Sequence, residues 1–485
     1  AVVESCAEYR RGALVEWFAN GPLGLQQGFT LERAPVGGDG AGPLELALAI
    51  RGPLRAELLP HGRGLVFGDP CGERVLDYGG LSAWDAAGRT LPARMRVDGR
   101  TVWIVVDDAR AVYPVTIDPL ITAEEAELSA SDGAAGDAFG VSVSIDGDRA
   151  LVGASQDDAA QGSAYVLVRS GTTWTEEAKL TASDAAIDSD CGISVSRSGD
   201  RALVGAPRAN KSGTAYVFAR SGTTWSEEAA FTSSDRGGSF GVSVALEGDR
   251  ALVGTDRSNK AFGSATVFER SGTTWSETAV LMSDDIALDD GFGSAVSLCV
   301  DRALVGAYRA SKNGAAYVFA HDGTAWSQED RLVAGSINDF GFAVSLSSDW
   351  ALIGAPRASK SSGSAYVYVR SGTAWSLHDT LFASDGTFGD RFGNSVSLDS
   401  GLALIGSHNH DAPAIDSGSA YVFERTGTTW SEEAKLVPGD AATGDVFGGS
   451  VALSCGLALV GAPNAEGAVA GSGSAYAFRL ARSPT

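Results

Sequence analysis

Phe139 to Trp174 reads FGVSVSIDGDRALVGAS, a short polar loop, then GSAYVLVRSGTTW. The stretch returns along the chain. Its opening Phe-Gly step reappears at Phe240-Gly241, Phe292-Gly293, Phe340-Gly341, Phe392-Gly393 and Phe447-Gly448, and as Cys191-Gly192 in the second copy. The seven starts are spaced 52, 49, 52, 48, 52 and 55 residues apart. A period of that size marks a repeat architecture and outranks any local propensity.

Each copy predicts four short strands. In the second, Ile193 to Ser198 alternates apolar and polar, as a half-buried strand does. Gly199-Asp200 is a tight-turn pair. Ala202-Leu203-Val204 is a continuous apolar run, suited to a strand buried on both faces. After the loop PRANKSG, Thr214 to Arg220 is rich in β-formers, and Trp225 opens the more polar WSEEAAF. A buried strand followed by wetter ones is the pattern of a propeller blade. The last copy stops at Gly473 to Leu480 without a Trp-Ser-Glu-Glu strand. Glu124-Glu125-Ala126-Glu127-Leu128, before the first copy, matches Glu432-Glu433-Ala434-Lys435-Leu436 and supplies the missing piece. The expectation is an all-β chain with a seven-bladed β-propeller closed by that N-terminal strand, which removes the open edges of a linear array. An open β-solenoid is the alternative, and the permuted strand argues against it.

The pattern resembles the FG-GAP repeat, named for Phe-Gly at one strand and Gly-Ala-Pro after the next. Gly205-Ala206-Pro207, Gly354-Ala355-Pro356 and Gly461-Ala462-Pro463 match fully. Gly153-Ala154-Ser155, Gly254-Thr255-Asp256, Gly306-Ala307-Tyr308 and Gly406-Ser407-His408 are variants. The resemblance spans residues 121 to 480. It implies kinship with the heads of integrin α subunits and with bacterial secreted proteins, and the form here is similar to the bacterial one. In the integrin type the first turn is a calcium loop with clustered oxygens at alternating positions. Here it has shrunk to Asp146-Gly147-Asp148, Gly199-Asp200 and Ser400-Gly401, too little to wrap an ion. No metal at those turns and no cofactor are expected.

The 485 residues exceed one ordinary domain. The reading is a small β-rich domain over 1–120 and the propeller over 121–485. In the first, Leu44 to Leu48, Arg55 to Leu58, Leu65 to Phe67, Ala93 to Val97 and Val102 to Val106 predict short strands of a sandwich. Before them, Leu14 to Phe18 reads as a helical turn or a strand and Gly28 to Leu31 as strand-like, with a hairpin the preferred reading. The phrase Ala111 to Pro119 resembles the end of a β-domain that precedes repeat regions in large bacterial secreted proteins, and Pro114 and Pro119 stiffen the junction. No window approaches 18 consecutive apolar residues, so no membrane-spanning helix is expected. The chain begins at Ala1, which reads as a mature chain after removal of a signal peptide.

Net charge is −23. Residues 1–120 carry 12 Arg and 15 acids, and the rest 25 basic and 45 acidic residues. An array this acidic is not expected to bind nucleic acid, and its charge fits a secreted protein kept dispersed. The cysteines are Cys6, Cys71, Cys191, Cys299 and Cys455, with no Cys-x-x-Cys. Cys191 replaces a buried Phe and reads as an inert core thiol. Cys299 and Cys455 fall at turns of copies four and seven, too far apart to pair. A Cys6–Cys71 disulfide is the pairing left open.

Chemistry-bearing motifs are few. The histidines are His61, His321, His378, His408 and His410. No Gly-x-Ser-x-Gly, His-Glu-x-x-His or phosphate loop occurs. His408-Asn409-His410-Asp411 with Asp416 has metal-ligand types, but reads better as a polar surface loop. No enzymatic activity is expected. Binding is better supported. The loop between strands two and three carries Arg208 and Lys211, Arg257 and Lys260, Arg309 and Lys312, then Arg357 and Lys360 in copies two to five. Copies one, six and seven carry Asp157 and Asp158, His408, His410 and Asp411, and Glu466 there. The inter-copy loops on that face are acidic, with Asp184, Asp188, Asp190, Asp284, Asp285, Asp289 and Asp290. The eight cations are candidate ligand contacts for a protein or acidic glycan, unless they only pair with those acids. Trp174, Trp225, Trp275, Trp326, Trp375 and Trp430 open the outer strands. They are expected to pack between blades, the alternative being sugar-stacking pockets as in propeller lectins. The functional expectation is a secreted or cell-surface adhesion or recognition protein. A repeat lectin and a structural subunit of an extracellular assembly are the alternatives.

Overall fold

The structure, a computed structural model, describes residues 5–21, 24–35, 42–58, 65–68, 74–87, 89, 91–120, 122–233, 238–256, 262–335, 338–411 and 414–480. Two compact units emerge, residues 1–125 with 422–435 and 478–485, and residues 126–421 with 436–477.

The first unit holds two antiparallel sheets. One runs in the order Ser5–Arg11, Leu14–Gly21, Gly24–Leu31, Val115–Leu120, Arg74–Asp85, Leu65–Gly68 and Arg55–Leu58. The other pairs Leu44–Ala49 and Ala93–Asp98 on either side of Thr101–Val106. Alternation puts Val102, Ile104 and Val106 inward, where they meet Phe29, Leu65, Leu81, Val115 and Ile117 of the larger sheet. A core shared by two sheets is the sandwich arrangement that the strand spacing predicts. Asp85 is buried and accepts N–H bonds from Ala87, Arg89 and Val112. The Arg89 guanidinium beside it, with the Val112 amide, holds its carboxyl far below the usual carboxylate range. The Cys6–Cys71 pairing lies outside the described residues.

The repeats form seven four-stranded antiparallel sheets. Sheets one to six cover 139–180, 194–231, 240–281, 292–332, 343–381 and 396–436. Sheet seven covers 450–480, with Thr122–Leu128 at its outer edge. In sheet two, Ser194–Ser198, Arg201–Ala206, Thr214–Ser221 and Thr224–Phe231 lie side by side in sequence order. Ala202, Leu203 and Val204 are wholly buried, as their unbroken apolar run requires, while the outer strand alternates. This all-β series of repeated sheets is what a β-propeller needs.

Adjacent sheets meet at a backbone seam. The glycine that opens each Gly-Ala-Pro-like step faces the glycine of the next sheet's Phe-Gly step. A Cβ on Gly205 would lie 2.0 Å from the Gly241 carbonyl oxygen, and one on Gly354 2.0 Å from that of Gly393. The same contact joins Gly461 of sheet seven to Gly140 of sheet one, at 1.9 Å. No side chain fits there. The phenylalanine before the second glycine is buried; it meets a third-strand tyrosine edge-on in Phe139–Tyr165 at 5.5 Å and Phe447–Tyr476 at 5.6 Å, while in sheet three, where Thr266 replaces the tyrosine, Phe240 meets Phe268 at 6.2 Å. Cys191 fills that place in sheet two, and burial pushes its thiol up to about 12.

Serines reinforce the seam. Ser142, Ser194, Ser243, Ser395 and Ser450 donate to the carbonyls of Gly192, Gly241, Gly293, Gly448 and Gly140 at 2.7–2.9 Å. The strand one–two turns are linked as well. Gly199 N–H donates to Asp146, Gly248 to Ser198, Val300 to Glu247, Ser348 to Cys299 Sγ and Cys455 to Asp399. Gly147 N–H donates back to Ser454 Oγ. The oxygens of Asp146 and Asp399 are thus engaged by backbone of the next turn.

The seam makes a direct claim on stability. Gly205→Ala should lower the unfolding free energy by about 3 kcal/mol or more, the upper end for forced overpacking. Gly222→Ala, at an open turn with φ +66 and nothing within 4 Å of a Cβ, should cost only the left-handed strain of about 1 kcal/mol. Chemical denaturation of both variants checks the ordering, and equal losses would contradict it.

Candidate binding face

The loops between strands two and three and the loops between sheets interlock on one face. Gly162 bridges Cys191, Gly213 bridges Phe240, Gly314 bridges Phe340, Gly363 bridges Phe392 and Gly418 bridges Phe447. At several junctions the inter-sheet loop also holds the start of the next strand two–three loop. Arg208 N–H donates to Ser189 O, Arg309 to Asp290 O, Asn409 to Asp390 O and Asn464 to Asp445 O. Inside the inter-sheet loops, buried Asp137, Asp290, Asp390 and Asp445 accept the amides of Ala134, Ala287, Thr387 and Ala442, each at 2.6 Å. Short helical turns cap the strand two–three loops, at Asp157–Ala160, Ala209–Lys211, Ala310–Lys312 and Ala358–Ser361. Asn210, Lys211, Ser311 and Lys312 take left-handed backbone there, with φ of 51, 69, 51 and 71. Non-glycine residues in that region are costly and persist only where surroundings over-determine them.

The predicted cations divide. Arg208 pairs with Asp190 at 2.7 Å and Arg357 with Asp339 at 3.2 Å. The Arg309 guanidinium lies over the Tyr308 ring at 4.7 Å. Lys211 and Lys312 stand exposed at their turn ends. Arg257 and Lys260 lie outside the described residues, as does the side chain of Lys360. Two of the four arginines are therefore matched by acids of the neighbouring loops.

Tyrosines tie the same loops to the sheets. Tyr165 Oη donates to Asp132, Tyr216 to Asp184, Tyr421 to Asp385 and Tyr476 to Asp440. In sheet one, Lys179 joins this group, 2.7 Å from both Asp132 and Asp157. Burial pushes its ammonium down, but the hydrogen bonds to Asp132, Asp157 and Tyr165 prevail and raise it. The histidine loop of sheet six is not the polar surface loop that its sequence suggests. His410 is buried, 3.5 Å from Asp385 and 3.9 Å from Asp390, with its ring against Tyr421. Burial, with Arg391 adding, pushes His408 down to about 4. Among the described residues, no group of His, Cys, Asp and Glu is placed to hold a metal ion.

The tryptophans act away from this face, at the outer seams. Trp225 Nε1 donates to Glu177 of the preceding sheet at 3.1 Å, and Arg149 and Arg220 hold the same carboxylate. Trp275 and Glu228 repeat the group with Arg201 and Arg270, and Trp375 and Glu329 with Arg302 and Arg370. At the seam of sheets three and four, Thr278 stands where the glutamate would, and His321 where an arginine would. There Arg250 turns to Glu269 of its own sheet, and the buried Trp326 Nε1 has no hydrogen-bond partner. Local pattern could not reveal these pairs, because each partner comes from a different copy. The signal was present, since Glu177, Glu228 and Glu329 each stand three residues after Trp174, Trp225 and Trp326.

Repeated sheets with a loop face define a β-propeller type of repeat scaffold. A family model described as FG-GAP repeat matches residues 122–167, 174–218, 275–319, 326–368, 375–423 and 430–478, more than half of the chain. The chain belongs to the FG-GAP repeat family. One match opens on the outer strand Thr122–Leu128 and five open on the tryptophan of an outer strand, and each ends in the third strand of the following sheet, so the family unit straddles a seam. No curated protein matches the chain.

The outer latch titrates. Burial pushes Glu177 up, but hydrogen bonds from Arg220, Arg149 and Trp225 outweigh it and hold the carboxyl at about 2. A depressed carboxylate contributes stability that is complete above its ordinary value of 4.5 and is lost as pH falls toward about 2. Glu177→Gln should lower the Tm at neutral pH and converge with the wild type in acid. A Tm difference that stays constant with pH would contradict the latch.

Proposed function

We propose that the chain is a secreted or cell-surface, non-enzymatic recognition protein. Its seven sheets close into one seven-bladed propeller, with residues 1–120 as a separate β-domain and 121–485 as the propeller. The closure is supported by the contacts of Gly461, Ser450 and Ser454 with the first sheet, which repeat those at the other junctions. FG-GAP repeats occur typically in extracellular or surface proteins, and no helix among the described residues is long and apolar enough to cross a membrane.

One observation carries the reading. The loop face is fixed by backbone hydrogen bonds from sheet to sheet, while the Arg and Lys of copies two to five give way to Asp, His and Glu in copies one, six and seven. A rigid frame with variable tips suits recognition, where preorganisation limits the entropy lost on binding. The histidines support the non-enzymatic part, because His408 and His410 are drawn inward and His321 and His378 lie against Trp326 and Trp350. A protein partner fits best. An acidic glycan is the second reading, favoured by exposed Lys211 and Lys312.

The test measures retention of the full chain on the outer surface of the cell that produces it. Arg208→Ser/Arg257→Ser/Arg309→Ser/Arg357→Ser should weaken retention about tenfold if the four arginines each contribute a fraction of a kcal/mol. Asp148→Ser/Asp200→Ser/Asp249→Ser, at the opposite turns, should leave it unchanged. Retention indifferent to the first set, or equally sensitive to both, would remove the loop face from the account.

A further inference from the structure

At the seam of sheets four and five the loop face departs from its own pattern. In sheets two and five the strand two–three loop opens Pro-Arg, at Pro207-Arg208 and Pro356-Arg357. Each arginine pairs with the left-handed residue just before its sheet's first Gly step, Asp190 before Cys191-Gly192 and Asp339 before Phe340-Gly341. In sheet four Tyr308 replaces the proline and Gly291 replaces the aspartate. Gly291 keeps the left-handed backbone, with φ of 69. The two changes depend on each other, because a Cβ on Gly291 would lie 2.8 Å from Tyr308 Cε1. With glycine there, the Arg309 guanidinium lies over the Tyr308 ring at 4.7 Å and enters no ion pair among the described residues. Asp290, the nearest acid before Gly291 in the chain, is buried and takes the Ala287 N–H. Phe342, at the start of sheet five, meets Tyr308 edge-on at 5.6 Å and is 41% exposed. Its N–H is held by Asp339 O. Arg309, Tyr308 and Phe342 are thus one contiguous cluster across the seam.

We infer that this cluster takes a carboxylate flanked by a large apolar side chain, on an acidic segment of a partner protein. The inference rests on reading the loop face as a binding surface. The ion pairs of Arg208 and Arg357 show which group these loop arginines accept. An arginine stacked on an aromatic ring keeps the edge of its planar fork for a carboxylate, which it can hold through two parallel bonds. Phe342, packed on the same tyrosine, offers open ring surface to an apolar side chain. Lys312, exposed three residues after Arg309, adds a second positive charge to the loop. Arginine with aromatic rings is the combination enriched where protein partners anchor. A basic partner would be repelled by the two cations. For an acidic sugar the cluster leaves one ring to stack on, Phe342, because Arg309 lies over Tyr308.

The test uses three synthetic peptides of equal length, in which Glu is paired with Leu, Glu with Ser, or Gln with Leu. The full chain should bind the Glu/Leu peptide about tenfold more tightly than either of the others, roughly 1.4 kcal/mol. Arg309→Gln should bring Glu/Leu down to the level of Gln/Leu. Phe342→Ser should bring it down to the level of Glu/Ser. Both side chains are exposed, so the fold should persist, checked by an unchanged circular dichroism spectrum. Tyr308→Pro/Gly291→Asp, which rebuilds the form of sheets two and five, should abolish both margins although Arg309 remains. Equal binding of the three peptides by the wild type overturns the inference, as does a preference that survives Arg309→Gln or the double variant. So does binding of alginate, a polyuronate, that is tighter than the Glu/Leu peptide and lost in both Arg309→Gln and Phe342→Ser. The double variant keeps all four arginines that the retention experiment removes, so this test can fail while the loop-face reading stands.

Discussion

At each junction between sheets, a glycine with no side chain lies over the carbonyl of another glycine. A Cβ at the first would sit about 2 Å from that oxygen, far inside contact distance. The approach lets a serine reach the same carbonyl and lets one turn donate to the next. It also sets how closely the inner strands approach. Both glycines of the repeat are steric requirements of a junction that no single sheet contains. That is why the family unit begins in one sheet and ends in the next.

The tryptophan and glutamate of the outer strands secure the other end of the junction. Their indole N–H groups are occupied by carboxylates at three seams, which leaves them no donor for a sugar. Where Thr278 interrupts the group, Glu269 appears on the neighbouring strand at a position that is Ala or Val in sheets one, two, four and five. The charge on Arg250 is still met, and the cost passes to the unpartnered Trp326 N–H, of order 1–3 kcal/mol. Junction and loop face therefore carry separate tasks.

Much of this was legible in the sequence. Phe-Gly and Gly-Ala-Pro recur because the seam dictates residue type, so the period and the strands could be read directly. Glu124 to Leu128 could be placed at the last sheet because it copies Glu432 to Leu436. The Trp–Glu latch was hidden, since its members lie in different copies and pattern within one copy says nothing of register between outer strands. His410 reads as a surface residue in a polar loop, and only Asp385, Asp390 and Tyr421 reveal its burial. Charge marked the loop face, but that Arg208 and Arg357 pair with Asp190 and Asp339 required the fold of the neighbouring loop.

The central claim is that the junction between sheets seven and one equals the others. Urea unfolding of Gly461→Ala beside Gly205→Ala, followed by tryptophan fluorescence and circular dichroism, tests it most directly. A closed array predicts the same loss of midpoint for both, in one transition shared by both signals. A Gly461→Ala midpoint close to wild type, or an early separate transition confined to the end sheets, would contradict it.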